Sequence, residues 1–483
     1  MKIGNLITKM SDIVYVKGPG DADISSVAYD SRMVSEGCLF VAIKGFNVDG
    51  HDFVPQAISR GAAAIIGEQD LDLPGIIYIR VRNSRKALAE ASAWFYGYPS
   101  RKLGIIGVTG TNGKTTTTYL VKAMLDRAGY KTGVIGTIGN LIGDKILHAE
   151  RTTPESLELN RLFLNMVQQG VNYVAMEVSS HSLKLHRVDG IDFQVGIFTN
   201  LTQDHLDFHK TFEDYYESKK KLFDLSRKAV VNVDDESGRK ILQSIDIPAI
   251  SYGIDTDADL RARNVNISLE GVFYDIEVKG EKFSISYHVP GRFSVYNSLA
   301  ALGAGLALGI PMDTLIDALG KVRGVPGRFE PVIVGQDFAV IVDYAHTPDG
   351  LENVLKTIKS FARGRIITVF GCGGDRDRKK RPIMGSIASR LSDYCIITSD
   401  NPRSEEPEAI IDEIEKGVVS SNYEKIADRR EAIAKAIEMA KKDDVILIAG
   451  KGHEDYQILK DRTIHFDDRE VAAELLVKKG KLR

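Results

Sequence analysis

GIIGVTGTNGKTTTTYLVKAMLDRA, residues 104–128, decides the fold. Residues 104–110 read as a buried strand, a glycine-rich turn follows, and a helix runs on to about Ala128. Gly107, Gly110 and Gly113 let main-chain amides turn inward without a Cβ in the way. The helix N-terminus adds partial positive charge, Lys114 adds a full one, and the Thr115 hydroxyl suits Mg²⁺. Val108 stands six residues before Lys114, where the strict phosphate-loop spacing has glycine. The plain structural alternative is a glycine-rich turn capped by threonine. A Gly-Lys-Thr on a strand–helix junction favours a nucleotide, ATP or GTP, without saying what it is used for.

Working outward, short apolar runs alternate with helical stretches. Residues 173–180 (YVAMEVSS) and 195–200 (VGIFTN) read as strands with polar C-terminal ends, and 155–168 as a helix between. This is the rhythm of a parallel sheet. Residues 259–290 alternate strictly and read as an antiparallel patch. A second α/β block begins near Phe329, with strands at 339–344, 366–370, 394–398 and 445–449. VRGVPGRFEP (322–331) has the composition of a linker. The first hundred residues are less regular, with a strand at 37–44 and a helix–strand pair at 54–67. The expected organisation is three α/β domains: a smaller one at 1–99, a central one at 100–328 with a mostly parallel sheet covered by helices on both faces, and a Rossmann-like one at 329–483.

The composition agrees. A chain of 483 residues suits about three domains. With 63 Lys+Arg against 66 Asp+Glu, the net charge of −3 gives no reason to expect nucleic acid. No apolar run is long enough for a membrane span, and MKIGNLITKMSDIV does not read as a signal peptide. Cys38, Cys372 and Cys395 are odd in number and far apart, which fits a reducing cytoplasm and argues against a disulfide framework or zinc site.

Other candidates follow strands. Glu177 ends one, where an open parallel sheet forms its ligand crevice, and a carboxylate there can bind Mg²⁺ opposite the phosphate loop. His205 follows another in FTNLTQDHLDFH, with Asp204 and Asp207 beside it; metal ligand and surface or capping histidine both remain open. Lys219, Lys220 and Lys221 read, on charge alone, as a solvated helix face.

GTNGKTT, EVSSH, TNLTQDHLDFH and a Lys followed by Leu-Phe resemble the Mur ligase family, cytoplasmic ATP-dependent amino-acid ligases of peptidoglycan synthesis. The likeness continues through RFSVYNSLAA (292–301), GRFE (327–330), DYAHTPDGL (343–351) and GKGHEDYQ (450–457). It implies that Gly110, Thr111, Asn112, Gly113, Lys114, Thr115 and Thr116 cradle ATP, with Asn297 and Arg328 on its adenine and phosphate sides. It implies that Thr115 and Glu177 hold one Mg²⁺, and that Glu177 and His205 hold a second, supported by a carbamate on Lys219. Asp343 and His346 would reach the phosphates on domain closure; strand-end capping is their structural alternative.

TTPES (152–156), EVSSH and His186-Arg187 resemble the members that extend UDP-N-acetylmuramoyl-L-alanyl-D-glutamate. That implies Thr152, Thr153, Ser179 and Arg187 as contacts to this substrate and Ser31, in YDSR, at its uridine end; Leu185 stands where some relatives carry a polar residue. SDNPRSEEP (399–407) resembles the signature of members adding meso-2,6-diaminopimelate, with Asp400, Asn401, Pro402, Arg403, Arg376, Gly450 and Glu454 as its contacts. Arginine offers a planar fork to the second carboxylate that lysine lacks. The rivals are a lysine-adding relative, a folylpolyglutamate synthetase, a P-loop ATPase switch and an inactive sugar-binding scaffold. A monomer without nucleic-acid partners is expected.

Overall fold

The computed structural model describes residues 1–481 apart from 144, 148, 150, 206, 207 and 269. Its central sheet is built around Gly104–Thr109, every residue of which is buried. Tyr173–Glu177 pairs parallel on one side and Phe193–Phe198 on the other. Ala229–Asn232, Ala249–Gly253 and Leu260–Arg261 extend the sheet in parallel beyond Phe193–Phe198. Thr132–Ile135 extends it beyond Tyr173–Glu177, where Asn140–Ile142 and Lys145–Leu147 add an antiparallel edge. Chain order therefore reverses beside Gly104–Thr109, and the loops leaving three adjacent strand ends converge there.

Helices cover both faces. Lys114–Arg127 packs against Arg292–Ala307, burying Leu120, Val121 and Met124 with Val295, Leu299 and Leu302. On the opposite face, Ser156–Gln168 and Phe212–Asp224 bury Leu159, Phe163, Met166, Tyr215 and Leu222. An antiparallel sheet, Arg263–Ser268, Gly271–Val278 and Glu281–Tyr287, occupies the stretch whose residues alternate.

The first sheet has the order Ile13–Lys17, Ile77–Val81, Ala62–Gly67, Cys38–Val41, Ser26–Ala28, antiparallel only at its first pair. The last has the order Glu330–Pro331, Ala339–Asp343, Val445–Ala449, Ile366–Phe370, Tyr394–Ile397, Tyr423–Lys425, parallel after its first pair. The stretch with linker composition is packed: Phe329 is buried, with its ring 6.0 Å from Phe293 and 6.3 Å from Phe361. This aromatic contact ties the last sheet's helices to the central unit. The three cysteines are buried and unpaired, and no described helix is long and apolar enough to cross a membrane.

Candidate active site

The phosphate loop is held from the neighbouring strand end. The Asn112 amide donates to Asn200 Oδ1 (2.9 Å), Thr199 Oγ1 donates to the Asn112 carbonyl (2.6 Å), and the Thr111 amide donates to the Asn200 carbonyl (2.8 Å). Gly110 (φ +147°) and Gly113 (φ +86°) lie where a side chain is strained, and a Cβ on them would collide with Thr199 Oγ1 and Asn297 Oδ1 respectively. Lys114 Nζ donates to the carbonyls of Gly110 (2.9 Å) and Thr111 (2.8 Å). Burial lowers its pKa, opposed by Glu177 and Asp204.

Lys219 corrects the reading from charge. It is 1% exposed, its Nζ donates to the same Gly110 carbonyl at 2.8 Å, and it lies 4.6 Å from the centre of the Tyr215 ring. Burial, reinforced by Lys114, drives its pKa well below that of an ordinary lysine. Tyr215, Ser218, Lys219 and Leu222 are all buried, and their i, i+3, i+4, i+7 spacing is one helix face. Lys220 is half-buried and Lys221 exposed, so the solvated face holds for only part of the run.

Glu177, 1% exposed, accepts from Thr115 Oγ1 at 3.0 Å and from the Thr137 amide at 2.8 Å. Arg328 Nη2 donates to Thr115 Oγ1 at 3.0 Å, and Thr153 Oγ1 donates to the Glu177 carbonyl at 2.9 Å. A buried carboxylate beside a hydroxyl is a donor set for a hard cation. His205, in the left-handed region at φ +53°, stands with Nε2 3.5 Å from Asp204 Oδ2 and its ring 4.8 Å from His181. Asp207 lies outside the described residues. Among the described residues no group of three or more His, Cys, Asp and Glu is placed to hold a metal.

A cleft of about 500 Å³ opens between this loop and the last sheet, lined among others by Asn112, Gly113, Thr116, Asn297, Arg328 and Asp343. That volume suits a small-molecule ligand. Asp343 also accepts the Phe329 amide at 2.7 Å, so it caps as well as lines, and burial raises its pKa. His346 is pushed down to about 4 by burial, with Lys380 adding to the effect. Across the cleft, Asp349 Oδ2 accepts from Asn112 Nδ2 at 2.6 Å.

Thr152 meets Thr137 (3.1 Å between hydroxyls), and Thr153 Oγ1 accepts the Ser179 amide at 3.1 Å. Arg187 pairs with Glu155 at 2.7 Å, a carboxylate shared with Arg151 (3.1 Å) and Arg85 (3.9 Å). Beside them a second cavity, about 350 Å³, is lined by Lys44, Phe46, Arg82, Arg85 and Leu185. Ser31 is not among its lining residues, and its hydroxyl donates to Gln56 Oε1 at 2.7 Å.

The third group gathers at two strand ends of the last sheet. Asn401 Nδ2 donates to Glu454 Oε2 (2.8 Å), and a Cβ on Gly450 would stand 2.6 Å from Asp400 Oδ2. Arg403 (φ +53°) donates through Nη1 to the carbonyls of Gly374 (2.9 Å) and Asn401 (3.3 Å). The Pro402 carbonyl lies against Gly374. Arg376 is exposed, with Nη1 3.0 Å from the Asp375 carbonyl. Burial, with Asp400 nearby, raises the pKa of Glu454.

Known proteins share this sequence and fold. Residues 108–305 match the Mur ligase middle domain, 327–452 the Mur ligase glutamate ligase domain, and 23–99 the Mur ligase family catalytic domain. The chain belongs to the Mur ligase family. A relative from Clostridium tetani, named UDP-N-acetylmuramoyl-L-alanyl-D-glutamate--2,6-diaminopimelate ligase, is 52% identical over 99% of each chain. One of the same name from Clostridium botulinum is 52% identical over 98% of this chain and 99% of its own. A solved structure with that name superposes with a TM-score of 0.69 at 33% identity, covering 95% of both chains.

Several residues of this candidate site in the Mur ligase chain were missed in the sequence. Gln457 Nε2 donates to the Asp400 carbonyl at 2.7 Å, and Lys451, fully buried, pairs with Glu454 at 3.3 Å. His453 is held against the main chain of Thr137 and lies 4.9 Å from the Tyr344 ring, with its pKa pushed down to about 3 by burial. All three lie within or at the edge of the GKGHEDYQ stretch, which signalled them as a motif but not their individual contacts.

Proposed function

We infer that this Mur ligase joins meso-2,6-diaminopimelate to the D-glutamate of UDP-N-acetylmuramoyl-L-alanyl-D-glutamate, with ATP converted to ADP and phosphate. The observation that carries the reading is the turn 400–403, buried over Asp400 and Asn401, set against Glu454 and presenting Arg403 beside it. The 52% identity to a diaminopimelate ligase over 99% of both chains supports it. The turn and that identity together weigh against a lysine-adding relative and against an ATPase without ligase activity.

The reaction runs in two steps. The γ-carboxylate of the D-glutamate attacks the γ-phosphorus of ATP, forming an acyl phosphate as ADP leaves. An amine of diaminopimelate then attacks the acyl carbon, the C–O bond to phosphate breaks, and the amide forms as the amine loses its proton. Residues 110–116 cradle the phosphates, and Lys114 exchanges its carbonyl partners for phosphate oxygens, offsetting charge that grows in transfer. Asn297 and Arg328 flank the nucleotide, and Asp343 and His346 line it from the last domain. Thr152, Thr153, Ser179 and Arg187 hold the acceptor, with Ser31 toward its uridine end. Asp400, Asn401, Pro402, Arg403, Arg376, Gly450 and Glu454 hold the amino acid. The Asn112–Asp349 contact across the cleft is the kind that keeps water from the acyl phosphate when the domains close.

The Thr115–Glu177 pair fits Mg²⁺, which when bound offsets charge on the transferred phosphoryl group. His205 and a carbamate on Lys219 complete our assignment. Burial, with Lys114 adding to the effect, lowers the pKa of the Lys219 amine and so favours the neutral form that adds CO₂, and the carbamate would turn a cation into an anion beside Lys114. We assign domains 1–99, 100–328 and 329–483 to nucleotide-sugar, ATP and amino-acid binding, and expect a cytoplasmic monomer. The test is ADP release with each substrate withheld in turn. Release over many turnovers must require both the UDP-linked acceptor and diaminopimelate; release with neither added sinks the ligase reading.

A further inference from the structure

Behind the amino-acid pocket lies an ion pair that the proposed chemistry does not use. Arg429 and Asp468 have side chains with no exposed surface. Arg429 Nε donates to Asp468 Oδ1 at 2.8 Å and Nη2 to Oδ2 at 2.7 Å. The same guanidinium donates through Nη2 to the Ala449 carbonyl (3.0 Å) and through Nη1 to the Ser399 carbonyl (3.3 Å). Those carbonyls immediately precede Gly450 and Asp400, the first residues of the two turns that meet at Asn401–Glu454. Asp400 and Glu454 also lie within the electrostatic reach of Arg429.

Resting on the reading above, we propose that Arg429, oriented by Asp468, is the positioning residue of the amino-acid pocket: one planar cation fixes the separation of turns 400–403 and 450–454. The strands that carry the two turns, Tyr394–Ile397 and Val445–Ala449, are not neighbours, because Ile366–Phe370 lies between them. No sheet hydrogen bond therefore sets the distance between their ends. A buried ion pair is weak support for stability, since apolar residues of similar volume often serve as well or better. Its two extra donor contacts, each aimed at the last carbonyl before a turn, are what an apolar pair cannot supply. Arg429 touches no substrate-facing atom; it acts through main chain. The pair is neutral as a whole, so it places no net charge behind a pocket that must accept ammonium groups.

The test is Arg429→Lys, which keeps the charge but cannot reach two carbonyls and a carboxylate together. The full-length variant should show a KM for diaminopimelate raised at least tenfold, with KM for ATP and for the UDP-linked acceptor within twofold of wild type. Amide hydrogen exchange at 400–403 and 450–454 should quicken at least tenfold, with 110–118 unchanged. The paired Arg429→Met, Asp468→Leu variant, which removes both charges of the pair and strands neither, should fold and show the same KM split; it serves if the lysine variant does not fold. Equal changes in all three KM values, or exchange in the two turns unchanged, would overturn the proposal. The exchange measurement needs no turnover, so it judges the brace even if wild type fails to use diaminopimelate, a result that would instead sink the functional reading.

Discussion

Arg403→Ala separates recognition of the amino acid from every other part of the reaction. The main chain at 403 is left-handed (φ +53°), so alanine meets the same backbone cost as arginine and the turn is retained. Among the described residues, the hydrogen bonds of the guanidinium run through Nη1, to Gly374 and Asn401, which orients the group and leaves its other edge for a carboxylate. Diaminopimelate carries a carboxylate as well as an ammonium at its far end; lysine carries the ammonium alone, so it loses the attraction and leaves the guanidinium unpaired. Removing one partner of a hydrogen-bonded charge pair costs about 2–5 kcal/mol. At about 1.4 kcal/mol per factor of ten, kcat/KM for diaminopimelate should fall at least about 30-fold in the variant. Wild type should prefer diaminopimelate over lysine by at least about 30-fold, on the same conversion. The assay is ADP release at saturating ATP and acceptor, with either amino acid varied. Equal use of the two amino acids by wild type, or an equal loss for both in the variant, would refute the reasoning.

Lys114→Ala should fold normally by circular dichroism and lose at least about a hundredfold in kcat, as comparable electrostatic sites do; a near wild-type rate would remove the phosphate-loop assignment. Lys219→Ala should be inactive and regain part of its activity with a short carboxylic acid in solution, while Lys220→Ala and Lys221→Ala retain theirs; steady-state rates decide. The Lys219 amine titrates well below 10.5 when folded, so between that lowered value and 10.5 the unfolded chain binds the extra proton and stability rises with pH. In CO₂-free buffer Lys219→Met should therefore melt higher than wild type at neutral pH, with the advantage shrinking as pH rises toward 10.5. Gly113→Ala places a side chain in a left-handed backbone at about 1–2 kcal/mol and against Asn297, so calorimetry should find ATP binding at least about threefold weaker with the fold unchanged.

What was legible in the sequence was local. Strand, glycine turn and helix from 104 to 128 lie in one run, and Glu177 announces itself by ending another apolar run. Arg187 and Thr153 were readable as motif members, but the buried carboxylate of Glu155 that orients Arg187 was not. Lys219 shows how charge counting fails. Three consecutive lysines suggest solvent, yet only one lies on the stripe with Tyr215, Ser218 and Leu222, and period decides burial more strongly than local composition. The strand Ile13–Lys17 escaped notice because it is an edge strand with an irregular register to Ile77–Val81, leaving its pattern mostly exposed. Arg429 and Asp468 are 39 residues apart and join no motif; only the fold brings them under the two strand ends.

Product analysis by mass spectrometry tests the central claim most directly. ATP and UDP-N-acetylmuramoyl-L-alanyl-D-glutamate are supplied with either meso-2,6-diaminopimelate or lysine in parallel, and both the UDP-linked product and ADP are quantified. The account predicts the UDP-linked tripeptide with diaminopimelate, in equal amount to ADP, and almost none with lysine. A lysine adduct formed as readily, or ADP accumulating with no change in the mass of the UDP-linked acceptor, would contradict it.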